Sequence, residues 1–147
     1  MNELQTLYQE VLLDHYRKPR NFGRLEPATG HAEGHNPLCG DRIAVDVDVA
    51  DGQLRGVRFE GSGCAISTAS ASLMTEAIQG FSTREIEALF EQFRKAVTGD
   101  PAADIEPLGK LAVLCGVKEF PMRVKCATLA WHTLLAAIAG GGKVSTE

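Results

Sequence analysis

The stretch Asp41-Arg42-Ile43-Ala44-Val45-Asp46-Val47-Asp48-Val49-Ala50-Asp51-Gly52-Gln53-Leu54-Arg55-Gly56-Val57-Arg58-Phe59-Glu60 decides the fold. Ile43, Val45, Val47 and Val49 alternate with Ala44, Asp46 and Asp48. A period of two puts one apolar face on a core and leaves the other wet. On this reading Asp46 and Asp48 lie on the wet face, with nothing to pair them for acid–base work. Asp51-Gly52 is a two-residue hairpin turn, because both residue types tolerate positive φ. The returning strand runs from Gln53 to about Glu60, with Val57 and Phe59 inward.

On the N-terminal side, Leu4, Leu7, Tyr8, Val11, Leu12 and Tyr16 recur at helical spacing. They predict a helix from Asn2 to Lys18 with one buried face, stopped by Pro19. Residues 21–36 contain Gly23, Pro27, Gly30 and Gly34 and read as a loop with one weak edge strand. On the C-terminal side, Gly61-Ser62-Gly63 breaks the second strand, and a helix is expected from Ala65 to about Gln79. Ser82 and Glu85 form a capping box for a further helix that carries Ile86, Leu89, Phe90 and Phe93 and ends at Gly99. A short helix near Leu108–Leu114 follows, and Pro121 suits the first turn of a last helix. Gly140-Gly141-Gly142 ends that helix, and residues 141–147 are expected to form a disordered tail. The order of helix, hairpin and helices predicts an α+β fold. About three antiparallel strands would pack against several helices in a single domain over residues 1–147.

A formal net charge of −4 argues against nucleic-acid binding, which needs clustered Lys and Arg. The basic cluster Arg17-Lys18-Pro19-Arg20, with Arg24, reads as a solvated helix end in preference to a partner-docking patch. The opening Met1-Asn2-Glu3-Leu4-Gln5 is polar, and no apolar run approaches a membrane span. A cytoplasmic protein is therefore expected, in a compartment where thiols stay reduced. Four cysteines there point to metal or sulfur chemistry rather than disulfides. The competing reading is four small buried hydrophobes.

Cys39 lies in Asn36-Pro37-Leu38-Cys39-Gly40-Asp41 before the first hairpin strand, and Cys64 follows the second. A hairpin sets the start of one strand beside the end of its partner, so Cys39, Asp41 and Cys64 come to the same end of the sheet. Gly40 lets the backbone turn between Cys39 and Asp41. A helix mouth, where Cys64 sits, favours a thiolate. With Cys126 these residues would make a tetrahedral set suited to zinc, and thiolates also suit iron–sulfur clusters. An Asp in the set implies a looser, exchangeable site than a closed Cys/His knuckle. On spacing alone, three cysteines that never meet stay equally open.

Three motifs narrow the choice: Pro37-Leu38-Cys39-Gly40-Asp41, Gly61-Ser62-Gly63-Cys64-Ala65-Ile66-Ser67 and Arg123-Val124-Lys125-Cys126-Ala127. Together with Asp14-His15-Tyr16-Arg17-Lys18-Pro19-Arg20-Asn21-Phe22-Gly23, they resemble the IscU/SufU/NifU N-terminal family along nearly the whole chain. The resemblance implies iron–sulfur cluster assembly, with sulfur received from a pyridoxal-phosphate cysteine desulfurase of SufS or IscS type. It implies metal or cluster ligands at Cys39, Asp41, Cys64 and Cys126, with Zn²⁺ as isolated, or iron or a [2Fe–2S] cluster. It also implies apo iron–sulfur acceptor or scaffold proteins as recipients, and a desulfurase-facing surface made of the N-terminal helix and the cysteine end. The IscU branch has a His before its last cysteine and a Leu-Pro-Pro-Val-Lys stretch read by a dedicated chaperone. This chain has Lys125 and Phe120-Pro121-Met122-Arg123-Val124-Lys125 there, and the long interval from Cys64 to Cys126 also resembles the SufU branch.

Cys39 is the expected sulfur acceptor, because its loop is freer than the surroundings of Cys64 or Cys126, and the resemblance to SufU implies the same choice. Arg123, one helical turn before Cys126, is a candidate for setting a cation beside the thiolates, with a plain surface Arg equally open. Cys115 reads as a packing residue, His31 and His35 as exposed loop residues, and His132 as a structural histidine. His15 reads as either a partner contact or a helix cap. Three functions compete: a sulfur acceptor and carrier, a scaffold for a [2Fe–2S] cluster, and a structural zinc interaction domain.

Overall fold

A computed structural model describes residues 3–145. Its centre is the expected hairpin, β2 (Asp41–Ala50) and β3 (Gln53–Ser62), antiparallel with Ala50 opposite Gln53. Asp51 and Gly52 both take positive φ, 53° and 73°, the signature of a type I′ turn. Ile43, Val45, Val47, Val57 and Phe59 are buried on one face.

The hairpin is extended on the β2 side by β1 (Gly30–Asn36), antiparallel to β2, and then by β4 (Gly142–Ser145), parallel to β1. The sheet therefore has four strands, in the order β3-β2-β1-β4. Two expectations change here. The weak edge strand is an inner strand, and residues 142–145 of the expected tail are a strand; Thr146 and Glu147 lie outside the described residues. The cause is the glycine triplet. Gly140, Gly141 and Gly142 take φ of 122°, 105° and 134°, values open to glycine, and they fold the chain back onto the sheet. A Cβ on Gly141 would collide with the His31 carbonyl oxygen.

Helix α1 (Glu3–Arg17) packs on α2 (Ala65–Ala77), and α2 packs on α4 (Pro121–Ile138), which lies across β1 and β2. Helix α3 (Thr83–Thr98) opens with the Ser82–Glu85 capping box and closes on left-handed Gly99. Its Phe90 and Phe93 stack on the buried Trp131 of α4, with ring centroids 5.6 and 5.2 Å away. Between α3 and α4 runs a 3₁₀ segment, Glu106–Glu119, longer than the short helix expected and kinked at Gly109.

Helix α1 buries less than its pattern suggests. His15 is its one buried residue, Tyr8, Val11 and Leu12 pack partly on the core, and Leu4, Leu7 and Tyr16 are exposed. The expected start at Asn2 lies outside the described residues. The residues after α1 are a clamp: Arg20 pairs with Asp14 at 2.6 Å, and its backbone N–H donates to Ser72 Oγ at 2.8 Å. Asn21 donates to Thr75 Oγ1 at 3.1 Å, and Phe22 meets the Phe59 ring edge-on. His15 belongs to the same clamp, its Nδ1 2.7 Å from Ser72 Oγ, so it is neither a helix cap nor an exposed contact.

Asp46 also departs from expectation. Arg24 and Leu25 fold over the face read as wet, and Asp46 is buried, accepting from Arg24 Nε at 2.8 Å and the Leu25 N–H at 3.0 Å. His31 Nδ1 completes the set. Burial alone would raise this carboxyl, but the hydrogen bonds from Arg24, His31 and Leu25 outweigh it and hold it below the usual range. No helix among the described residues is long and apolar enough to cross a membrane.

Candidate metal centre

Four segments meet at one end of the sheet: the turn after β1, the start of β2, the mouth of α2 and the first turns of α4. Asp41 opens β2 opposite Asn36, the last residue of β1. Cys39 sits in the turn between them, where Gly40 takes φ 71°. Cys126 is carried by α4, whose first residue is Pro121. Cys64 is the N-cap of α2, and its Sγ accepts the Ser67 N–H at 3.4 Å.

A sulfur of Cys39, a carboxylate oxygen of Asp41 and the sulfur of Cys126 all lie within 4.8 Å of one another. The two sulfurs are 3.1 Å apart. Cys64 stands beside this trio rather than inside it, its Sγ 3.8 Å from Asp41 Oδ2. Asp41 is fully buried and is fixed by the Cys64 backbone N–H, which donates to its Oδ1 at 2.8 Å. Gly63 is what admits this approach, since a Cβ there would stand 2.5 Å from Asp41 Oδ1. Exposure divides the cysteines: Cys39 is exposed, Cys64 half-buried, and Cys126 is 1% exposed. Burial, reinforced by the neighbouring Cys39 thiol and Asp41 carboxylate, drives the Cys126 thiol far above the ordinary range. A cation at this point would favour the ionised form of the Cys126 thiol. The donor set of soft sulfurs and one hard oxygen fits a zinc-class ion.

The cysteines open onto a cleft of about 710 Å³, walled by Ile66, Phe120, Met122 and Arg123. Phe120 and Met122 are exposed, and the Arg123 guanidinium lies 4.8 Å above the Phe120 ring. Arg123 thus shares the cleft with the cysteines. His35 does not, because it alternates with the inward Gly34 and Asn36 and faces the outer side of the sheet, half-buried. His31 is engaged with Asp46. Cys115 packs partly on the core beside Tyr8 and Ala96, and burial raises its thiol. His132 is exposed, with its ring edge-on to Phe90. The sequence reading passed over Asn36, which is fully buried and donates from Nδ2 to Cys126 Sγ at 3.4 Å. Its place beside Pro37-Leu38-Cys39 was the available signal.

A sheet of this topology backed by α2 and α4, with cysteines and an aspartate at one open end, defines a class, and residues 7–139 match the family model described as NifU-like N terminal domain. The chain belongs to that family. The zinc-dependent sulfurtransferase SufU of Bacillus subtilis is 40% identical over 136 residues, 92% of this chain and 92% of its own length. The iron–sulfur cluster assembly scaffold protein IscU of Streptococcus pyogenes is 39% identical over 138 residues, 94% of this chain and 86% of its own. A crystal structure described as an iron–sulfur cluster assembly scaffold protein for the SUF system, from Fervidobacterium islandicum, superposes with a TM-score of 0.84 at 34% identity, covering 91% of this chain and 98% of the other.

Proposed function

We propose that this chain is an iron–sulfur cluster assembly protein that takes sulfur from a cysteine desulfurase on Cys39 and passes it on. In this reading Cys39, Asp41, Cys64 and Cys126 together hold one zinc ion. The observation that carries it is the gathering of Cys39, Asp41 and Cys126 at one point, with Cys64 adjoining and the most exposed thiol on a turn. When bound, zinc supplies the positive charge that keeps the thiolates ionised, with no redox chemistry of its own.

The protein's residues divide the remaining work. Cys126 is fixed by α4, Cys64 by its capping bond and Asp41 by the Cys64 N–H. Cys39, between Pro37 and Gly40, is the thiolate able to turn outward. It attacks the sulfane sulfur of the desulfurase persulfide. One S–S bond forms at Cys39 Sγ as the other breaks, its electron pair leaves on the desulfurase thiolate, and no oxidant is needed. The exposed Leu4 and Leu7 of α1, with Phe120 and Met122 at the cleft, offer an apolar surface for that partner.

The scaffold reading is favoured by one feature, the open cleft beside the thiols, which leaves space for a cluster as cargo. A purely structural zinc domain fits less well, since such sites are closed. Mass spectrometry after incubation with a cysteine desulfurase and cysteine is the test. Added sulfur is expected on Cys39, and sulfur found mainly on Cys64 or Cys126 would refute the assignment.

A further inference from the structure

Asn36 is fully buried, and its carboxamide is only half used. Nδ2 donates to Cys126 Sγ at 3.4 Å, while Oδ1 is one of two buried side-chain polar atoms without a hydrogen-bond partner among the described residues. A buried amide that serves the fold pairs both ends, because an orphaned polar atom costs free energy. Here the better-placed half is spent on a sulfur. The polarity is consistent, because the Cys126 thiol is directed at Cys39, 3.1 Å away, which leaves its lone pairs for Asn36. Position reinforces this. Asn36 ends β1 directly across from Asp41, and its carbonyl accepts the Cys39 N–H at 3.3 Å. One residue therefore touches the backbone or side chain of two of the three gathered donors and pairs in register with the third.

We infer that Asn36 is a positioning residue for the metal centre, its side-chain N–H holding the Cys126 sulfur in place and drawing off part of its negative charge once a metal is bound. This rests on the metal-site reading above. A hydrogen bond to a metal thiolate lowers the energy of the sulfur lone pairs and stabilises the ionised ligand. Cys126 is only 1% exposed, so a protein N–H is the donor best placed to do this.

The test uses the full chain and two variants that lack the donor, Asn36→Leu of similar volume and Asn36→Ala. Zinc affinity is measured by competition with a chelator, the sulfur-to-metal charge-transfer band on the Co²⁺-substituted protein, and thermal melting on the metal-free chain. Both variants are expected to lose about 10- to 100-fold in zinc affinity. The cobalt band should move to lower energy, and metal-free Asn36→Leu should melt no lower than the wild type. If Asn36→Leu does not fold, Asn36→Ala decides by the same readouts. Wild-type affinity and an unmoved band in a folded variant would overturn the inference. Weaker binding with an unmoved band would also overturn it, by showing a structural role alone. A wild-type chain that binds neither Zn²⁺ nor Co²⁺ would overturn the metal-site reading and this inference together.

Discussion

Replacing Gly63 with alanine tests how tightly the fold clamps Asp41. The new Cβ would stand 2.5 Å from Asp41 Oδ1, 3.0 Å from Cγ and 3.1 Å from Cβ, against an ordinary separation of about 3.5 Å. The carboxylate would have to retreat by about 1 Å, and it is fully buried with no open side to retreat into. That movement breaks the 2.8 Å bond from the Cys64 N–H. A hydrogen bond to a charged group contributes about 1.5–3 kcal/mol. If the backbone yields instead, overpacking costs about 1–3 kcal/mol. The expected loss is thus about 1–3 kcal/mol, a fall in Tm of roughly 3–12 °C for a chain of this size.

Thermal melts of the metal-free protein measure this without contribution from metal binding, and chelator competition then reads the effect on zinc affinity, expected to fall as well. Gly116→Ala is the control, because nothing lies within 4 Å of a Cβ there, and its Tm should be unchanged or slightly raised. A Gly63→Ala protein that melts within about 2 °C of wild type and keeps wild-type zinc affinity would refute the clamp.

Two further predictions follow from the same geometry. Cys126→Ser is expected to lose the zinc that Cys115→Ser retains, because Cys126 lies among the gathered donors and Cys115 packs beside Tyr8 and Ala96; elemental analysis showing the reverse would refute the assignment. Burial, with the Arg20 cation adding to it, holds the His15 imidazole below the usual histidine range, so below about pH 6.5 the unfolded chain binds a proton that the folded chain refuses. Metal-free stability should therefore fall with pH from that point down to the folded-state pKa. His15→Gln should flatten the slope, and an unchanged slope would show that His15 titrates normally.

The hairpin and the start of α3 were legible because their signals are local: alternation in β2, an Asp-Gly turn with two positive φ values, and a capping box within four residues at Ser82–Glu85. Asp46 was misread because the pattern of a strand cannot say what lies over its far side; there Arg24 and Leu25 arrive from outside the hairpin. Leu4 and Leu7 were misread for the converse reason, since helical spacing marks a stripe but not what covers it. The cysteine end was half legible. The turn brings Asp41 and Cys64 together, and their 2.8 Å bond agrees with that expectation, but Cys126 reaches them through helix packing that no local pattern reports.

That packing also accounts for β1. Gly30 and Gly34 helped residues 21–36 read as a loop with one weak edge strand, yet both face α4. A Cβ at Gly30 would collide with the Ala137 carbonyl oxygen, and one at Gly34 with Thr133 Oγ1. The glycines are present because the helix lies directly on the strand, closer than side chains would permit. The same closeness brings the first turns of α4 down beside the end of β1, where Asn36 reaches Cys126. A β1 built from valine and isoleucine would have been easy to recognise and would have held α4 off the sheet, and Cys126 with it. The residues that weaken the strand signal are therefore the ones that let a distant helix deliver the third sulfur to Cys39 and Asp41.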